Sequence, residues 1–259
     1  LIKRVYMSLL SLGVLGTSCK ENERRLPIHP QHISRIDPDL RAKIVLENGY
    51  GKCFGISDNH LADLVSGMRS REEIIATVDV VLLPKPTVHE MTDLREGQVL
   101  WGWPHVVQNP ELTQISIDKN LTLIAWEAMN HWTQSGDFLV HVFHMNNELA
   151  GYCSVLHAMT LTGCTGHYGR PLTAAVMGFG NTARGAITAL QALGIHDITV
   201  FTTRDITAVA SPIPSVVLNH LDRADTDSLR TVVDTGTGPE PTAALLARHD
   251  IVVNCVLQD

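Results

Sequence analysis

The chain has 259 residues, 44% of them hydrophobic and 18% charged, with a formal net charge of −7. This length and composition suit two modest globular domains, and the acidic balance argues against nucleic acid as a partner. No run approaches the ~18 consecutive apolar residues of a membrane span, and five scattered cysteines without C-x-x-C spacing read as reduced thiols of a cytoplasmic protein.

The first residues combine a basic start with the apolar run Leu9–Leu15, but Gly13, Gly16 and the charged run Lys20–Arg25 fit a first strand, Ser8–Thr17, and its loop. Met7 is read as the start, and residues 1–6 are set aside. Pro30–Ile36 is a short helix candidate. Ala42–Glu47 is a strand ended by the turn Gly49-Tyr50-Gly51, and Ser57 caps a helix through Val65. Asp79–Leu83 is a short buried strand halted by Pro84 and Pro86. Gly97–Trp101 is another strand, followed by a helix opened by Pro110, and Leu121–Ala125 is a further strand. Strands alternating with helices predict an α/β fold with parallel sheets, two Rossmann-like domains in all. Leu149, Tyr152, Val155, Leu156 and Met159 recur at helical spacing, so 146–164 is read as an inter-domain helix between an N-terminal substrate domain, 8–145, and a nucleotide-binding domain, 165–259.

The second domain opens with the hydrophobic run Thr173–Met177, the turn Gly178-Phe179-Gly180-Asn181-Thr182-Ala183 and an apolar-periodic helix. This strand, turn and helix is the context in which G-x-G-x-x-A implies dinucleotide binding. Gly178 allows the tight turn, and Gly180 lets backbone approach a pyrophosphate. Asn181 and Thr182 open the helix whose N–H groups face the phosphates, and Ala183 is small enough for close helix–strand packing. The next strand, Ile198–Thr202, ends in Thr202-Thr203-Arg204, with no carboxylate at its tip to hold ribose hydroxyls. Arg204 can fork onto a 2′-phosphate and the two threonines can donate hydroxyls, which favours NADP(H) over NAD(H). Asp205 either takes the acid's place or pairs with Arg204. A last strand, Asp250–Val256, brings Val256 to the nicotinamide side, since ligands gather at strand carboxyl ends. One complete nucleotide-binding half is counted, so the fold is expected either to be cut short after Asp259 or to be completed by a further segment.

Five motifs in order, ENERRLPIHP (21–30), the strand into Pro84-Lys85-Pro86, LREGQVLWGWPH (94–105), LTLIAWEAM (121–129) and the GFGNTA loop, resemble the alanine dehydrogenase and transhydrogenase family, across nearly all of 8–259. Arg24-Arg25-Leu26-Pro27, Gly102-Trp103-Pro104-His105, AGYCSVLHA (150–158) and the strand tip without an acid look most like its carboxyethylornithine synthase branch, which is similar in using NADPH. Chemistry that makes a C–N bond beside a carboxylate needs a cation, a donor that polarises the carbonyl or imine, and a proton shuttle. The resemblance assigns these roles to Arg25 (carboxylate), Lys85 (substrate oxygen) and His105 (acid/base). Arg24 competes with Arg25, and Glu127 is a possible supporting carboxylate. Trp101 and Trp103, alternating on one face of a strand, are read as core and pocket wall. His141 and His144 lack partner ligands, so no metal is expected.

The expected activity is an NADPH-dependent, opine-type reductive condensation of a keto acid, such as pyruvate, with an amino group of an amino acid such as ornithine. Alanine dehydrogenase chemistry with ammonia and a non-catalytic NADP-binding regulator are the alternatives. Saccharopine-type chemistry needs a second carboxylate pocket, for which the sequence singles out no residue. By family analogy a homo-oligomer is expected, with no nucleic-acid or membrane partner.

Overall fold

A computed structural model of the chain describes residues 10–203, 213–223, 231–234 and 239–256. The chain divides into two units, Leu1–Val142 and Phe143–Asp259.

In the first unit six strands form one parallel sheet: β1 (Leu12–Val14), β2 (Ile44–Glu47), β3 (Gly67–Arg69), β4 (Val80–Leu82), β5 (Val99–Gly102) and β6 (Thr122–Ala125). Their order is β3-β2-β1-β4-β5-β6. The apolar runs of β2 and β4 are buried, as strands covered on both faces must be. Five helices connect the strands: α1 (Pro38–Arg41), α2 (Asp58–Ala62), α3 (Arg71–Thr77), α4 (Val88–Asp93) and α5 (Pro110–Asp118). Ser70 and Thr87 open α3 and α4 with capping boxes completed by Glu73 and Glu90. Leu15, Val45, Ile74, Val81, Met91 and Leu100 form the core. The expected strands and the helix from Pro110 are present, and Pro30–Arg35 is a 3₁₀ turn. The sequence reading did not include β3, α3, α4 or the antiparallel hairpin of β7 (Asn130–Trp132) and β8 (Phe138–His141).

The second unit begins with α6 (His144–Thr162), which starts two residues before the expected 146–164 helix and ends two residues before its end. It continues through β9 (Thr173–Met177), α7 (Asn181–Ala192), β10 (Asp197–Thr202), β11 (Val217–Arg223), β12 (Thr231–Asp234), β13 (Pro239–Pro241), α8 (Thr242–Leu246) and β14 (Ile251–Asn254). The order is β13-β12-β11-β10-β9-β14. β11, β10, β9 and β14 are parallel, whereas β12 and β13 extend the edge antiparallel. α6 and α7 meet backbone to backbone. A Cβ on Gly151 would stand 1.9 Å from the Thr182 carbonyl oxygen, and one on Gly185 1.7 Å from that of Glu148. Val155, Met159, Ala186, Ile187 and Leu190 from these helices close over Ala174, Val176 and Val200 of the sheet. Among the described residues no helix is long and apolar enough to cross a membrane.

Candidate active site

In a parallel α/β sheet, the loops after two neighbouring strands part to opposite sides where the strand order reverses, and they leave a crevice at the carboxyl ends. In the first sheet that reversal lies between β1 and β4. The loop after β1 carries Ser18, Lys20, Glu23 and Arg25, and the loop after β4 carries Lys85.

Hydrogen bonds lock these two loops together. Ser18 Oγ donates to the Lys85 carbonyl and accepts the Lys20 N–H at 2.9 Å. Glu90, 4% exposed, accepts from the Cys19 N–H at 2.9 Å, the Thr87 N–H at 2.8 Å, the Thr87 hydroxyl at 2.9 Å and Arg71 Nη1 at 2.8 Å. Arg71 also donates through Nε to Glu47 at 2.9 Å and through Nη2 to the Thr17 carbonyl. Burial opposes the charge on Glu90, but the bonds from Thr87, Cys19 and Arg71 outweigh it and hold the carboxyl below its ordinary range.

The crevice is a cavity of about 550 Å³ lined by Lys20, Lys85, Trp103, His105, Gln108 and Asn109, among others, a size that suits a small-molecule ligand. His105 lies three residues beyond β5 rather than at its end, with a left-handed backbone (φ 48°, ψ 36°). Its N–H donates to Glu127 Oε1 at 2.7 Å, and Glu127 Oε2 is buried without a hydrogen-bond partner. Burial, reinforced by Lys85, Lys20 and Arg25, pushes the His105 imidazolium below its ordinary value of 6.5, while Glu127 opposes the shift. Burial, with Lys20 and Arg25, likewise lowers Lys85. His105 is therefore a neutral acid/base at neutral pH, and Lys85 is a cation whose charge is under pressure.

Arg25 does not line the cavity but stacks on one of its walls. Its guanidinium lies 4.7 Å from the centroid of Trp103, whose ring meets Trp126 edge-on at 4.5 Å. Its Nε and Nη2 grip Glu23 at 2.8 and 2.5 Å, which raises Arg25 and lowers Glu23. Trp103 follows β5 instead of sharing a strand face with Trp101. Lys85 and His105 thus line one cavity, whereas Arg25 is bound to Glu23 and reaches that cavity only through the Trp103 ring of its wall. The sequence reading missed Ser18, Lys20, Glu23, Gln108 and Asn109. The E-x-R spacing of Glu23 and Arg25 was a usable signal, but nothing set Lys20 apart from a solvated charge run.

In the second sheet the order reverses between β9 and β14. Gly178 has φ +93°, and a Cβ there would stand 2.8 Å from Val256 Cγ1, so the turn requires glycine and sits against Val256. Gly180 faces open space. Asn181 and Thr182 open α7, which has no side-chain cap and no acid in its first turn, and Ala183 is fully buried. Uncapped N–H groups, a positive dipole end and open space beside Gly180 fit a dinucleotide pyrophosphate. Thr202 is 2% exposed, which leaves Thr203 as the exposed threonine at the strand tip. Arg204 lies outside the described residues.

The family model described as alanine dehydrogenase/PNT, N-terminal domain, matches residues 16–145. The chain is 28% identical over 188 residues to N(5)-(carboxyethyl)ornithine synthase of Clostridium botulinum (strain Hall), covering 66% of this chain and 55% of that protein. It is 28% identical over 140 residues to an alanine dehydrogenase of Methanococcus maripaludis, covering 52% of this chain and 36% of that one. The chain therefore spans about half, or less, of the length of these relatives. A transhydrogenase structure from Sinorhizobium meliloti shares the fold, with a TM-score of 0.60 at 21% identity over 94% of this chain and 68% of that one.

Proposed function

Because the chain belongs to the alanine dehydrogenase/pyridine nucleotide transhydrogenase family, we propose that it catalyses NADPH-dependent reductive condensation of a keto acid such as pyruvate with an amino group of an amino acid such as ornithine. The observation that carries this reading is the meeting of Lys85, His105 and the Arg25–Trp103 stack at one crevice between β1 and β4.

Lys85, with Arg25 adding positive potential from the Trp103 wall, holds the keto acid's carboxylate and carbonyl oxygen. The amine attacks the keto carbon and water leaves. Neutral His105 takes the proton that the attacking nitrogen loses and returns it to the oxygen, and then relays a second proton from solvent, so that the oxygen leaves as water. A nicotinamide dinucleotide, when bound, supplies the hydride that reduces the C=N bond, and the nitrogen keeps one proton in the secondary amine product. Gly178, Gly180, Asn181, Thr182 and Ala183 would hold the pyrophosphate, with Val256 beside that turn, while Thr203 and Arg204 would meet the adenosine ribose and its 2′-phosphate.

NADPH oxidation with pyruvate plus ornithine, compared with pyruvate plus ammonia, tests the reaction. Turnover with ornithine supports the opine reading, and turnover confined to ammonia replaces it with alanine dehydrogenase chemistry. Fluorescence titration of NADPH and NADH tests the cofactor. Equal affinities, unchanged in Arg204→Ala, would end the 2′-phosphate assignment.

A further inference from the structure

We propose that Lys20 holds the carboxylate of the amino-acid partner, so that the cavity takes a dicarboxylate with one acid at Lys85 and the other at Lys20. The assignment rests on the reading of this cavity as the keto-acid site and adds the second carboxylate subsite that the sequence did not reveal.

Four observations carry it. Lys20 and Lys85 line the same cavity. One hydroxyl sets their spacing, because Ser18 Oγ bonds to the backbone of both residues. Among the described residues the Lys20 ammonium makes no hydrogen bond or ion pair, whereas Glu23 is held by Arg25, Glu90 by Arg71, and Glu127 by the His105 N–H through Oε1, its Oε2 being buried. The positive charge of Lys20 also reaches both Lys85 and His105 and lowers each. Two ammonium groups facing one cavity repel each other, and two ligand carboxylates would relieve that repulsion. A carboxamide donor from Gln108, on the same lining, can serve one of those acids. Ammonia, with no carboxylate, would leave Lys20 unused, whereas an amino acid condensed through its side-chain amine would engage it.

Calorimetric titration of the whole chain with N5-(1-carboxyethyl)ornithine, with the same molecule lacking the ornithine carboxylate, with pyruvate and with 2-oxoglutarate tests the proposal. The wild type should bind the dicarboxylate about fivefold more tightly than its truncated analogue, the scale of an exposed ion pair. Lys20→Met should abolish that difference and Lys20→Arg should keep it. Equal weakening of every ligand by Lys20→Met would reduce Lys20 to a general field and overturn the assignment. A Lys20-dependent preference for 2-oxoglutarate over pyruvate would place the second acid on the keto substrate, and would also overturn it. A wild type that binds pyruvate but does not distinguish the dicarboxylate from its analogue would defeat the Lys20 subsite alone. One that binds none of the four would defeat the cavity reading along with it.

Discussion

His105 adopts a backbone conformation that costs an ordinary L-residue about 1–2 kcal/mol. The bond from its N–H to Glu127 helps to stabilise that turn. At most positions Ala is the safer replacement, but here the order should reverse. His105→Gly should be about 1 kcal/mol more stable than His105→Ala by denaturant titration, while both lose turnover. The Glu127 carboxylate also raises His105 against burial and three cations. Glu127→Gln should therefore lower the His105 pKa further. NMR titration of its ring proton would read this, and an upward shift would refute the electrostatic account. Glu127 was read in the sequence as a supporting carboxylate, but the strained turn was not, because a positive φ at a non-glycine residue leaves no compositional trace.

At the level of elements, helix packing and the ion network divide the work. Gly151 and Gly185 let α6 and α7 touch through their backbones, so Gly185→Ala has no rotamer to relax into and should destabilise the second unit by about 3 kcal/mol in thermal denaturation. The Glu47–Arg71–Glu90 network ties α3 and α4 to the loop after β1. Arg71→Met strands two carboxylates and should cost about 3 kcal/mol. Glu90 titrates below its ordinary 4.5 in the folded chain, so its contribution is complete above that value and is lost as pH falls through the depressed one. Acid titration of stability should be shallower in Arg71→Met, where the bond that helps depress Glu90 is gone. The sequence announced α3 and α4 only through their capping boxes, Ser70–Glu73 and Thr87–Glu90, since helices of seven and six residues carry little periodicity. The hairpin β7–β8 had Gly136 at its turn but no strong alternation.

Over the whole chain, two sheets each reverse their strand order once between parallel neighbours, and a candidate site lies at each reversal. Hydrogen exchange should therefore separate the ligands by unit: NADPH should slow exchange at 178–184, and a keto acid at 18–25 and 103–109. Protection of 178–184 by pyruvate alone would contradict two separate ligand sites. The alternation of strands and helices made this architecture readable, and the glycine loop announced itself through Gly178 and Gly180. The antiparallel edge β12–β13 was not readable, nor was the place of residue 20 on the cavity that residues 85 and 105 line. At the first reversal β1 and β4 remain bonded in register from Leu12 to Val14 while their chains leave in opposite directions. Within the loop after β1, Glu21, Asn22 and Arg24 hold no bond to the Glu47–Arg71–Glu90 network, so changes there would reshape a rim without breaking a ladder or that network. Exchanging those three positions between relatives is thus an economical way to vary the cavity's surroundings on an unchanged frame.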